Sequence, residues 1–152
     1  LKLEKISINN ILQSVKTDFE DDLFDKNIKL EISSNCNQRE IMVDLVKLKR
    51  VFTNIITNSV THFNGNKGLI KVNVTGRANM IRFEILDNGG GVKTETDLKR
   101  IFEPLYTTDP SRKISGLGLS ICKQIISSFD GRIYAKNNEI GGLSIIFLIP
   151  KS

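Results

Sequence analysis

Histidine occurs once in these 152 residues, as His62, and cysteine only twice, as Cys36 and Cys122. The cysteines lie far apart without metal-type spacing, so they read as two free thiols of a reducing compartment. No run of 18 apolar residues occurs and no basic-then-apolar leader, so no membrane-spanning or export segment is expected. Internal repeats, linkers and low-complexity stretches are also missing. The net charge of +5 is not interleaved with aromatic residues and no nucleic-acid recognition motif accompanies it, so nucleic acid is not an expected partner. What remains is an ordinary globular composition, 39% hydrophobic and 26% charged. Residues 1–152 are expected to form a single domain with a core that needs no staples. The chain begins with Leu1 rather than Met, which predicts a piece excised from something longer.

The charge is uneven along the chain. Glu20, Asp21, Asp22 and Asp25 form an acidic cluster, whereas Lys93, Lys99, Arg100, Arg112, Lys113, Lys123, Arg132 and Lys136 make the second half basic. Such a half suits a polyphosphate or an acidic partner, and equally a solvated surface.

Periodicity sets out the elements. Ser7 caps a predicted helix whose apolar positions, Ile8, Ile11, Leu12, Val15, Phe19 and Leu23, recur at spacings of three and four. Ile28, Leu30 and Ile32 alternate with polar residues as a half-buried strand, and Ser33 to Gln38 reads as turn. Ile41 to Val43 is a short strand. Asp44 caps a helix to Phe63 with a broad apolar stripe. Leu69 to Thr75 and Met80 to Leu86 form a hairpin, and Thr94 or Thr96 starts a short helix that stops before Pro104. Leu105 to Gly118 has no period; a loop of that length in a compact domain is usually functional or mobile. A helix over about Leu117 to Phe129 ends on Gly131, read as its C-terminal glycine, and strands Arg132 to Lys136 and Leu143 to Ile149 close the chain. The fold class is therefore α+β, a two-layer sandwich of about three helices on a mixed, mostly antiparallel sheet of five or more strands.

Two stretches carry candidate chemistry. Glu84 to Val92 is a strand that stops at Asp87 and runs into Gly89, Gly90 and Gly91. An acid at the end of a buried strand, followed by backbone able to approach a ligand closely, describes a binding site, although Asp-Asn-Gly is also a common turn. Asn54 and Asn58 stand four apart on one helical face beside the apolar stripe, where asparagine is a poor helix former.

Four segments together resemble the ATP-binding domain of sensor histidine kinases, of the superfamily that shares the Bergerat fold with gyrase and chaperone ATPases. Asn54-Ile-Ile-Thr-Asn58-Ser is similar to its asparagine box, Asp87-Asn-Gly89-Gly-Gly91 to its first glycine box, and Ile101-Phe102-Glu103-Pro104-Leu105 to its phenylalanine box. Gly116-Leu-Gly118-Leu-Ser-Ile is similar to its second glycine box. The resemblance implies a function: binding Mg·ATP and presenting the γ-phosphate to a histidine on an adjoining dimerisation domain. By the same resemblance Asp87 reads adenine, and Gly89 and Gly91 let backbone approach the nucleotide. Asn58 and Asn54 supply oxygens to Mg²⁺, and the helix opened by Gly116, Leu117, Gly118 and Leu119 faces the triphosphate. Arg112 and Lys113 are lid cations, and Phe102 and Tyr106 anchor the lid. The resemblance further implies a response regulator as partner and a homodimeric parent. That parent is a membrane-anchored bacterial sensor whose kinase domain is cytoplasmic and does not itself touch the membrane.

Departures from the family pattern are visible. Thr61 and His62 occupy positions where relatives often carry Lys-Tyr or Lys-Phe, so a phosphate-contacting lysine is missing there and the role shifts to Arg112, Lys113 or Lys67. The extra Gly-Thr often found before the second glycine box is also absent. His62 is followed by Phe63-Asn64 rather than an acid, so it is not read as the phosphoacceptor. Alternatives are an ATPase or anti-sigma-type kinase of the same superfamily, and a catalytically weak binding module. In the ATPases a glutamate base precedes the metal-binding asparagine by four residues; here that residue is Asn54.

Overall fold

A computed structural model describes residues 1–104 and 118–151. In chain order the elements are β1 (Glu4–Ser7), α1 (Ile8–Asp25), β2 (Ile28–Asn35), β3 (Glu40–Val43), α2 (Leu45–Phe63), β4 (Gly68–Arg77), β5 (Met80–Asp87), α3 (Glu95–Arg100), α4 (Gly118–Ser128), β6 (Arg132–Asn137) and β7 (Leu143–Pro150). The main sheet has five strands in the order β2-β4-β5-β7-β6. Only β2 and β4 run parallel; every other neighbouring pair is antiparallel. The α+β sandwich expected from periodicity is therefore present, with three longer helices and the one-turn-plus α3.

Capping fixes where the helices begin. Ser7 Oγ accepts from the Asn10 N–H, Asp44 Oδ1 from Lys47, and Thr94 Oγ1 from Asp97, each satisfying an amide that the first turn leaves without an intrahelical partner. At its other end α2 stops on Asn64 in the left-handed region, at φ +51°.

Helices and sheet share one continuous core. Phe52 of α2 meets Phe83 of β5 and Phe147 of β7 edge-on, with centroids 6.1 and 5.7 Å away, while Phe83 and Phe147 stack at 4.8 Å. Strand β7, lying between β5 and β6, is buried on both faces from Leu143 to Ile149, which explains its apolar run from Ile145 to Ile149.

Two local expectations are corrected and one strand is added. Strand β2 extends through Ser33 to Asn35, where a turn was expected, because Ser33 to Asn35 pair with Asn73 to Thr75 and Ser33 Oγ lies 2.7 Å from Asn73 Oδ1. Strand β1, which no periodicity announces, pairs antiparallel with β3. Gly131 is not the left-handed residue closing α4: Asp130 takes φ +60°. Gly131 is needed for a different reason, since a Cβ there would collide with the Leu148 carbonyl of β7.

Candidate functional site

Asp87 is the last residue of β5 and is 1% exposed. Its Oδ1 accepts the Gly89 N–H at 2.9 Å and the Leu143 N–H at 3.3 Å. Its Oδ2 points toward α2, where His62 Nδ1 stands 3.7 Å away, too far for a hydrogen bond. Burial pushes the carboxyl up, but the pull of His62, the Gly89 amide, the Ser59 hydroxyl and the Leu143 amide outweighs it. The net result is a carboxyl below its ordinary value, hence a buried and ionised acceptor. Among the described residues His62 Nδ1 is buried with no hydrogen-bond partner.

Helix α2 brings the asparagines to the same place. Asn54, Asn58 and His62 follow one another at four-residue intervals, so they lie on one face. Asn54 Nδ2 donates to the Gly118 carbonyl at 3.1 Å, which ties α2 to the start of α4. Nearby, the buried Cys122 thiol donates to the Val51 carbonyl at 3.6 Å, and burial pushes it up to about 12, leaving that sulfur protonated and unreactive. With its nitrogen turned to α4, the Asn54 carboxamide oxygen is the atom left for another partner. Both residues are half-buried, and among the described residues no hydrogen bond to the Asn58 amide is found.

The glycine segment is held by a turn that sequence reasoning did not single out. Asn137 pairs with Val92 through both amide atoms: Val92 N–H donates to Oδ1 at 2.8 Å, and Nδ2 donates to the Val92 carbonyl at 2.6 Å. Asn138 Nδ2 donates to the Asp87 backbone carbonyl at 2.9 Å, and its Oδ1 accepts the Ile140 and Gly142 amides, each at 3.0 Å. Gly90 N–H donates to the Gly141 carbonyl at 2.8 Å. The glycines fit this packing. Gly91, at φ +68°, would put a Cβ 2.6 Å from Asn137 Oδ1, and a Cβ on Gly142 would collide with the Asp87 carbonyl oxygen. A Cβ on Gly89 would sit 3.0 Å from the His62 Cβ. Ser59 also escaped notice, although its place three residues before His62 puts it on the Asp87 side of α2.

Other expected site residues are placed less directly. Phe102 is 8% exposed and joins the hydrophobic core. Leu119 is likewise buried in that core, at the first turn of α4, and Gly118 abuts Asn54. Tyr106, Arg112, Lys113, Gly116 and Leu117 lie outside the described residues. Among the described residues no cluster of three or more His, Cys, Asp or Glu forms a metal site.

Comparison with known proteins gives a consistent picture. Residues 43–152 match the family described as histidine kinase-, DNA gyrase B-, and HSP90-like ATPase. The signal transduction histidine-protein kinase BaeS of Escherichia coli is 32% identical over 111 residues, which cover 70% of this chain and 23% of that protein. The sensor protein kinase WalK of Staphylococcus aureus (strain Newman) is 30% identical over 94% of this chain and 28% of its own length. This chain thus spans only about a quarter of these relatives. Among solved structures, the catalytic domain of histidine kinase ThkA, in a nucleotide-free form, superposes with a TM-score of 0.87 at 28% identity, covering 99% of this chain and 97% of that one. ThkA has also been solved in complex with the response regulator protein TrrA, and there the match has a TM-score of 0.82 at 27% identity over 99% of this chain and 42% of that one.

Proposed function

Because this chain belongs to the histidine kinase-, DNA gyrase B-, and HSP90-like ATPase family, we propose that it is the ATP-binding catalytic domain of a two-component sensor kinase. It binds Mg·ATP and presents the γ-phosphate to a histidine on an adjoining dimerisation domain. One observation carries this reading: a buried, ionised Asp87 whose Oδ1 is occupied by backbone amides and whose Oδ2 is left facing the α2 side. That oxygen suits the exocyclic amine of adenine. Guanine presents a carbonyl oxygen instead, whose lone pairs would face a carboxylate. Discrimination built on a buried hydrogen bond can exceed about 10⁴, against roughly 10–200 for one methylene.

The rest of the site divides the remaining work. Asn58 and Asn54 fit Mg²⁺, since carboxamide oxygens are hard ligands and the Asn54 nitrogen is already turned to Gly118. Bound there, the ion supplies neutralisation of phosphate charge. The start of α4, at Gly118 and Leu119, would turn the positive end of the helix dipole to the triphosphate. Gly116, Leu117, Tyr106, Arg112 and Lys113 belong to the proposed lid. Little covalent chemistry is asked of the domain, because phosphoryl transfer is chiefly positioning and charge stabilisation. The phosphohistidine would then serve a response regulator, the kind of partner with which ThkA was solved. The parent is proposed as a homodimeric, membrane-anchored sensor with this domain in the cytoplasm; among the described residues no helix is long and apolar enough to cross a membrane.

Hydrolysis is the weaker reading. Asn54 cannot take a proton as a glutamate base would, and its amide nitrogen is already used as a donor. Calorimetric titration with ATP and with GTP tests the proposal. Saturable ATP binding with GTP weaker by orders of magnitude supports it; equal affinities would remove the role given to Asp87.

A further inference from the structure

We propose that the β6–β7 turn, residues 137–142, is a strap that pre-orders the glycine segment for its ligand, with Asn137 and Asn138 as its positioning residues. The inference rests on the nucleotide reading of Asp87, and concerns residues that need not touch the nucleotide at all.

Residues 88–92 have little intrinsic order. Gly90 and Gly91 stand at φ +103° and +68°, and a segment of three glycines gives up much chain freedom when fixed. Its own side chains anchor only its two ends, where Asn88 Oδ1 accepts the Leu69 N–H at 2.9 Å and Val92 is buried in the core. Its polar backbone groups are instead satisfied from the turn: the Val92 amide and carbonyl by Asn137, the Gly90 amide by the Gly141 carbonyl, and the Asp87 carbonyl by Asn138. Asn138 is itself immobilised, because its Oδ1 accepts two amides of the turn and its backbone N–H donates to the Gly142 carbonyl. The Leu143 amide, where β7 begins, completes the arrangement by binding Asp87 Oδ1. Every grip of the strap falls on Asp87 or within five residues after it. The strap therefore fixes the direction of the Asp87 carboxylate and the path of the backbone behind it before any ligand arrives. Binding to a site already ordered forgoes the loss of freedom that a loose segment would suffer on association.

Hydrogen exchange of the ligand-free protein, read by NMR, and titrations with ATP and with AMP test this together. In Asn138→Ala and in the milder Asn137→Ala, the Gly90 and Val92 amides should exchange faster while those of β4 keep their protection. ATP and AMP affinities should fall by the same factor, about tenfold, or roughly 1.4 kcal/mol. Equal loss is expected because the defect lies behind the base, not at the phosphates. Asn137→Asp keeps the acceptor for the Val92 N–H and should recover part of the protection and of the affinity. Unaltered exchange at Gly90 and Val92, or faster exchange with unchanged affinity for both nucleotides, would overturn the strap. Normal protection in a wild-type protein that binds neither nucleotide would instead overturn the reading of Asp87.

Discussion

Asn54 Nδ2 donates to the Gly118 carbonyl at 3.1 Å, so the asparagine on the face of α2 and the glycine that opens α4 are joined directly. This single bond sets the orientation of the Asn54 amide. It turns the nitrogen to α4 and leaves the oxygen as the only side-chain atom able to serve a cation, beside the amide of Asn58 one turn later.

A metal role for that face predicts a split between two titrations. Asn58→Ala should weaken Mg·ATP binding by at least tenfold, or about 1.4 kcal/mol, and leave ATP binding in EDTA nearly unchanged. Equal losses in both titrations would refute it.

The same bond argues against turnover by water. With Asn54 a donor to Gly118 and no carboxylate in its place, the domain alone should release phosphate from ATP no faster than buffer controls. Steady, enzyme-dependent phosphate release would reinstate a hydrolytic function.

Asp87 also makes a prediction for stability. Its carboxyl is held below the ordinary value of about 3.9 by hydrogen bonds and His62 that exceed the opposing effect of burial. Such a group contributes stability above its unfolded value and loses that contribution as pH falls through its folded one. Urea midpoints of the wild type should therefore drop more steeply on acidification below about pH 5 than those of Asp87→Asn. Parallel profiles would mean that the carboxylate is not stabilised in the fold.

Much of this was legible in the sequence because it is local. Ser7, Asp44 and Thr94 cap the helices they precede, and the stripe from Leu48 to Phe63 faces the core as its spacing predicts. What escaped depends on partners far along the chain. Strand β1 contains one apolar residue, Ile6, and exists because Glu4 to Ser7 meet Val43 to Glu40. Asn137 and Asn138 look like ordinary turn residues; their hydrogen bonds reach back 45 and 51 positions, to Val92 and Asp87. Gly131 has the sequence signature of a helix terminus, yet its requirement comes from Leu148 in β7. The asparagine box and the first glycine box named residues that the fold brings together around Asp87, and long-range pairing supplies what holds Asp87 in place.

The most direct test is calorimetric titration of ATP into Asp87→Asn beside the wild type. The substitution keeps the size of the side chain, whose neighbours include the Gly89 and Leu143 amides, and removes the charge that makes Oδ2 a strong acceptor. The account predicts saturable binding by the wild type and none detectable by the variant, with both proteins folded by circular dichroism. Undiminished ATP binding by folded Asp87→Asn would contradict it.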